Sequence, residues 1–185
     1  MTLMIFFFVD QNHKKKNLKN ILEIKKLKNV NKPIEIANGL PNECYISNDY
    51  LNHERDKVFC GKWTVVGVGS SIPKSGDAKP YNLLGIPLVI IRGKDMKIRV
   101  FHNVCSHRGL KILNESCSLK NVIRCPYHYW SYDFEGRLIT TPHIGGLNIH
   151  KTEKFDSLKS NLKEVKTKIW MDIIFVNINS NKIDF

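Results

Sequence analysis

Two short segments, Cys105-Ser106-His107 and Cys125-Pro126-Tyr127-His128, constrain this chain more than anything else in it, and 17 residues separate them. Each offers one thiolate and one imidazole, two or three positions apart, where a β-rich stretch gives way to a loop. Two such loops side by side can converge on one small metal centre. Three readings of the four donors compete. Chance must supply four matched residue types in paired spacings, and that risk falls with every fixed position. Structural zinc accepts Cys and His in a tetrahedron, but its common spacings pair Cys with Cys and His with His, or use four Cys. A [2Fe–2S] cluster with two Cys on one iron and two His on the other needs mixed loops. Ligand order therefore favours the two-iron cluster, with zinc as the alternative.

The rest of the composition narrows the setting. At 185 residues, 42% hydrophobic and 25% charged, the chain has room for one ordinary domain and a tail. Five Cys are too sparse for a disulfide scaffold. No apolar run approaches the ~20 residues that span a bilayer, and the stretch from Met1 to Val9 lacks a preceding basic segment. The net charge of +12 invites a nucleic-acid reading, but half the excess lies in residues 1–32. The remainder is scattered, and 23 of the 29 basic residues are Lys, whereas a phosphate-reading surface favours clustered Arg. The expectation is a cytoplasmic protein with neither a nucleic-acid nor a membrane partner.

Along the chain, residues 1–40 read as a basic tail and linker, with a short amphipathic helix over 16–29. Asn48 or Asp49 is placed to cap a helix reaching about Lys57, with Glu54 in its middle. Strands are predicted at 62–68, 88–92, 97–101, 121–124, 130–134, 137–141 and 169–178, with a hairpin across Gly93-Lys94-Asp95-Met96 and another bending at Glu135-Gly136. Residues 70–79 read as a loop, and 151–168 as a loop or short helix. This pattern predicts a mainly β fold: an antiparallel sandwich or barrel, a small cluster-binding subdomain and short N-terminal helical segments. The core domain is drawn at 41–180, with 181–185 as its C-terminal end.

The neighbourhoods of the two segments carry a family likeness. Phe101-His102-Asn103-Val104-Cys105-Ser106-His107-Arg108-Gly109 resembles the first cluster loop of Rieske non-haem iron oxygenase α subunits, the ring-hydroxylating dioxygenases and choline-monooxygenase-like enzymes. Arg124-Cys125-Pro126-Tyr127-His128-Tyr129-Trp130-Ser131-Tyr132-Asp133 resembles their second loop, followed by Gly136-Arg137-Leu138 and Pro142. The likeness extends over about 40–180. It implies a Rieske [2Fe–2S] cofactor with Cys105 and Cys125 on the inner iron and His107 and His128 on the outer one. Arg108, Gly109, Trp130 and Tyr132 flank the cluster, and Tyr132 is placed to hydrogen-bond a ligand sulfur. Cys44, Cys60 and Cys117 read as free structural thiols. One departure stands out: Tyr129 occupies a place where the family usually has Gly. High-potential respiratory relatives add a Cys to each loop and a Ser beside a sulfur; here those places hold Leu110, Tyr127 and Trp130. The low end of the Rieske range follows, about −150 mV rather than about +300 mV.

The resembled subunits hold a mononuclear Fe(II) in a catalytic domain that follows the Rieske module, bound by two His and a carboxylate. His13, His53, His102, His143 and His150 form no such triad here, and no Gly-rich nucleotide loop is present. The expectation is one-electron transfer toward an oxygenase catalytic domain that this chain lacks, with electrons supplied by a flavin reductase or ferredoxin. A stand-alone Rieske ferredoxin-like carrier is the alternative.

Overall fold

A seven-stranded antiparallel sheet, ordered β1-β10-β9-β4-β3-β2-β5, and a three-stranded sheet, β6-β7-β8, organise the computed structural model. Residues 27–150, 152, 155, 158–179 and 185 are described. The strands are β1 (Thr64–Val68), β2 (Asp77–Leu83), β3 (Ile86–Arg92), β4 (Ile98–His102), β5 (Cys117–Ser118), β6 (Ile123–Arg124), β7 (Ser131–Tyr132), β8 (Leu138–Thr140), β9 (Glu164–Trp170) and β10 (Ile173–Asn177). Two short helices, α1 (Glu43–Ile46) and α2 (Asn48–Glu54), precede them. The mainly β antiparallel architecture with a small second sheet is the one the strand pattern implied. No helix among the described residues is long and apolar enough to cross a membrane.

The run Leu88-Val89-Ile90-Ile91 does not alternate because β3 is buried on both faces. Leu88 and Ile90 enter one core with Val66, Val100, Ile174 and Val176. Val89 and Ile91 face the other core, which contains Phe101, Ile123, Trp130, Tyr132 and Phe134. That second core also takes in Cys105 and Cys125, so both cysteines sit between the two sheets.

Several boundaries differ from the sequence reading, each for a local reason. Residues 77–79 are the start of β2 rather than loop, and no strand was expected through Leu83. Asp77, Pro80 and Asn82 are weak strand formers, so pairing with β3 from Ala78↔Ile91 to Leu83↔Ile86 creates the strand. Pairing with β5 stops at Ala78, which leaves Pro80 on an open edge where its missing N–H costs nothing. The single strand expected at 169–178 is a hairpin, and residues 164–168, read as loop or helix, belong to β9. Met171 and Asp172 turn the chain at φ 46° and 65°. Asp172 secures the turn by accepting from the backbone N–H groups of Gly69 and Ser70, through its carbonyl and Oδ2. The hairpin at Glu135-Gly136 forms as expected. Ser47, one residue ahead of the predicted cap, starts α2 by accepting from the Tyr50 N–H, and the helix runs on as a π turn, Arg55–Phe59. The helix expected over 16–29 lies outside the described residues except for 27–29.

Gly136 (φ 80°) sits against the Phe101 ring; a Cβ there would lie 2.5 Å from Cε1. We expect Gly136→Ala to destabilise the protein by roughly 2 kcal/mol or more, combining left-handed strain with overpacking. Urea unfolding will show a lower midpoint with an unchanged slope.

Candidate metal centre

The two loops repeat one another's backbone bonding. In the first, the Cys105 N–H donates to Leu110 O (2.8 Å) and the Gly109 N–H to Cys105 O (2.9 Å). In the second, the Cys125 N–H donates to Trp130 O (2.9 Å) and the Tyr129 N–H to Cys125 O (3.1 Å). Each loop is thus a closed ring with a cysteine at its base. β4 delivers the first loop, and β6 and β7 flank the second. Asn103, fully buried, pins the first loop's return: Oδ1 accepts from the N–H groups of Ile112 and Leu113, and Nδ2 donates to Leu113 O.

The fourth residue after each cysteine has a left-handed backbone. Gly109 takes φ 72° and Tyr129 takes φ 58°. A glycine accepts this conformation freely and an aromatic residue does not. That explains why Tyr129 stood out in the sequence: it fills a position whose geometry suits glycine. The residue is 59% exposed, so packing repays little of the strain.

The four donors come together at two depths. Cys105 and Cys125 are buried, while His107 and His128 are half-buried with ring centroids 4.7 Å apart. Nδ1 of both histidines is buried and has no hydrogen-bond partner. Buried polar nitrogens left unpaired carry a cost that a metal bond removes. Two buried, unpartnered imidazole nitrogens and two buried thiols match the donor set that a [2Fe–2S] cluster with mixed ligands needs, so the residues fit that group. Among the described residues, no three His, Cys, Asp or Glu side chains group as ligands for one ion. The arrangement is one of pairs.

Flanking groups set the electrostatics. Burial pushes the Cys105 thiol above its usual range, with the Cys125 thiol acting in the same direction. Burial holds His107 below the usual imidazole value, helped by His128 and Arg108, so its ring favours the neutral, metal-binding form. The Trp130 ring stacks on His107 at 4.5 Å and 9°, and Tyr127 lies against His128 at 3.7 Å. Tyr132, fully buried, places Oη 3.3 Å from Cys105 Sγ, the contact anticipated for it. Burial raises the Tyr132 phenol well above its ordinary value, so it stays protonated. Arg108 is exposed on a cleft of about 520 Å³, whose walls also include His107, His128, Tyr129 and Ile144. Cys44, Cys60 and Cys117 are free thiols. The sequence reading gave Asn103 and Ser106 no role. An Asn at the end of a strand hints at local capping, but Ser106 carried no signal because its partners lie far along the chain.

Comparison with known proteins bears on these loops directly. Residues 62–153 match the Rieske [2Fe-2S] domain. The carnitine monooxygenase oxygenase subunit of Acinetobacter pittii is 34% identical over 147 residues, covering 80% of this chain and 38% of that protein. The benzene 1,2-dioxygenase α subunit of Pseudomonas putida is 31% identical over 153 residues, 81% of this chain and 32% of its own length. The solved apo form of a quaternary ammonium Rieske monooxygenase superposes with a TM-score of 0.71 at 33% identity, covering 79% of this chain and 41% of that one. This chain therefore spans well under half the length of these relatives.

The shared loop geometry makes a paired prediction. Gly109→Ala will lower the unfolding free energy by about 1–2 kcal/mol, whereas Tyr129→Gly will leave it unchanged or raise it by up to about 1 kcal/mol. Denaturant titration of the two variants checks the opposite signs.

Proposed function

This chain belongs to the Rieske [2Fe-2S] family, homologous to the N-terminal electron-transfer domain of oxygenase α subunits, and from that premise we propose that it passes single electrons toward a mononuclear non-haem iron. The observation that carries the reading is the pair of inward, unpartnered Nδ1 atoms above two buried cysteines. In this proposal Cys105 and Cys125 hold one iron as thiolates, and His107 and His128 hold the other through Nδ1. Once bound, the cluster supplies one reversible electron site. The domain spans 41–180.

The chain's own residues do the rest. With Nδ1 turned inward, the Nε2 side of each imidazole is left to the cleft, where it can hold or release a proton as the charge behind it changes. Trp130, buried and stacked on His107, keeps water from that ring and fixes its plane. Arg108 offers a cation at the mouth of the cleft for a carboxylate on a partner surface. The partners of this reading are a flavin reductase or ferredoxin as donor and an oxygenase catalytic domain as acceptor. The Fe(II) site belongs to that domain.

Dithionite-reduced protein, purified without oxygen, will show a Rieske-type paramagnetic resonance signal. His128→Cys will keep the fold and change that spectrum; an unaltered spectrum removes His128 from the ligand set. A colourless protein holding one zinc after iron–sulfur reconstitution replaces this reading with a structural one.

Loading will also depend on pH. Thiol ligands bind metal only after losing their protons, and the Cys105 thiol is raised by burial. Reconstitution with ferrous iron and sulfide will therefore fall off as pH drops from about 9 to about 7. The yield of cluster absorbance per chain reads this out.

A further inference from the structure

We propose that Ser106 governs how much of the Tyr132 hydroxyl's hydrogen bond reaches Cys105, which makes it a positioning residue for the redox potential of the centre. The inference rests on the electron-transfer reading above and deepens it.

Hydrogen accounting carries the argument. Among the described residues Tyr132 Oη has three polar neighbours: the Ser106 N–H at 3.2 Å, Ser106 Oγ at 2.8 Å and Cys105 Sγ at 3.3 Å. The backbone N–H can only donate, so it occupies a lone pair of Oη. Ser106 Oγ also meets the carbonyl of Ser160, and a carbonyl can only accept. The single Ser106 hydroxyl hydrogen is therefore committed to Ser160. Ser106 Oγ then faces Tyr132 as an acceptor, and the one phenolic hydrogen is contested between Oγ and Sγ.

The contest is uneven. A 2.8 Å separation is the normal length of an O–H···O bond, and neutral sulfur is a weak acceptor. A metal-bound thiolate carries negative charge and competes better, so the hydrogen is divided rather than surrendered. The fraction directed at Sγ matters because a hydrogen bond to a ligand sulfur stabilises an added electron and raises the potential. Ser106 draws that hydrogen away. Its grip comes from Ser160, 54 residues along the chain, in the 3₁₀ turn Leu158–Ser160.

The arrangement separates two functions of one residue. The backbone N–H of Ser106 places Tyr132 whatever the side chain at 106, while the hydroxyl takes part of its hydrogen. Ser106→Ala keeps the first and deletes the second. Tyr132→Phe deletes the hydrogen itself.

The test is a mediated redox titration of cluster-loaded protein, followed by paramagnetic resonance, on four variants. Ser106→Ala will shift the potential upward and Tyr132→Phe downward. Ser106→Thr, which keeps the hydroxyl, will stay close to the parent and guards against a folding artefact. The Ser106→Ala/Tyr132→Phe double variant will match Tyr132→Phe alone. An unmoved or lowered potential in Ser106→Ala overturns the proposal. So does an equal upward shift in the Tyr132→Phe background, which a merely structural role for Ser106 would produce. In both cases the coloured protein leaves the electron-transfer reading intact. A chain that never takes up a cluster overturns both.

Discussion

Everything at this site hangs on the pair of backbone bonds that closes each loop at its cysteine. The Cys105 and Cys125 N–H groups donate across to residues five positions on, and their carbonyls accept from residues four positions on. Each bond uses a main-chain group that burial would otherwise leave unpaired. Because both loops use the same scheme, one set of geometric demands appears twice, including the left-handed residue at Gly109 and Tyr129. The loops can be this tight because they start from strand ends packed in a core. Phe101, just ahead of the first loop, and Ile123, just ahead of the second, are fully buried.

Depth does the chemical sorting. The cysteines join the core between the two sheets, and at Cys105 burial disfavours the free thiolate and so favours a metal that neutralises it. The histidines stand one layer out, with Nδ1 toward the core and their rings lining a cleft. A redox centre built this way is shielded from water on one side and reached through imidazole on the other. Tyr132 and Ser106 then adjust the charge at the inner side through one shared hydrogen. The proposed electron path and the proposed tuning device use the same loop without competing for the same atoms.

The four candidate ligands were legible because coordination chemistry imposes residue type and spacing together. The β3–β4 hairpin was legible for a similar reason, since an apolar run on either side of Gly93-Lys94-Asp95-Met96 has few other uses. What escaped were elements made by partners rather than by their own residues. β2 contains Asp, Lys, Pro and Asn, and becomes a strand because β3 pairs with it along its length. β9 alternates Lys with Val, Thr and Ile and stays largely exposed on its faces although β10 and β4 flank it, a pattern that polar loops share. The turn between β9 and β10 lacks a glycine and depends on Asp172 reaching Gly69 and Ser70, about a hundred positions earlier.

The sequence alone determined which atoms can ligate and in what order they meet, because thiolates and imidazoles at fixed short spacings admit few geometries. It also marked Tyr129 as an oddity without saying why. Only the tertiary structure decided that position 129 is left-handed, that both Nδ1 atoms turn inward, and that Ser106 meets Tyr132 and Ser160 at once. The last of these depends on segments 26 and 54 residues apart being folded against each other. Hydrogen-bond partnership at that range is set by packing, and local sequence carries no trace of it.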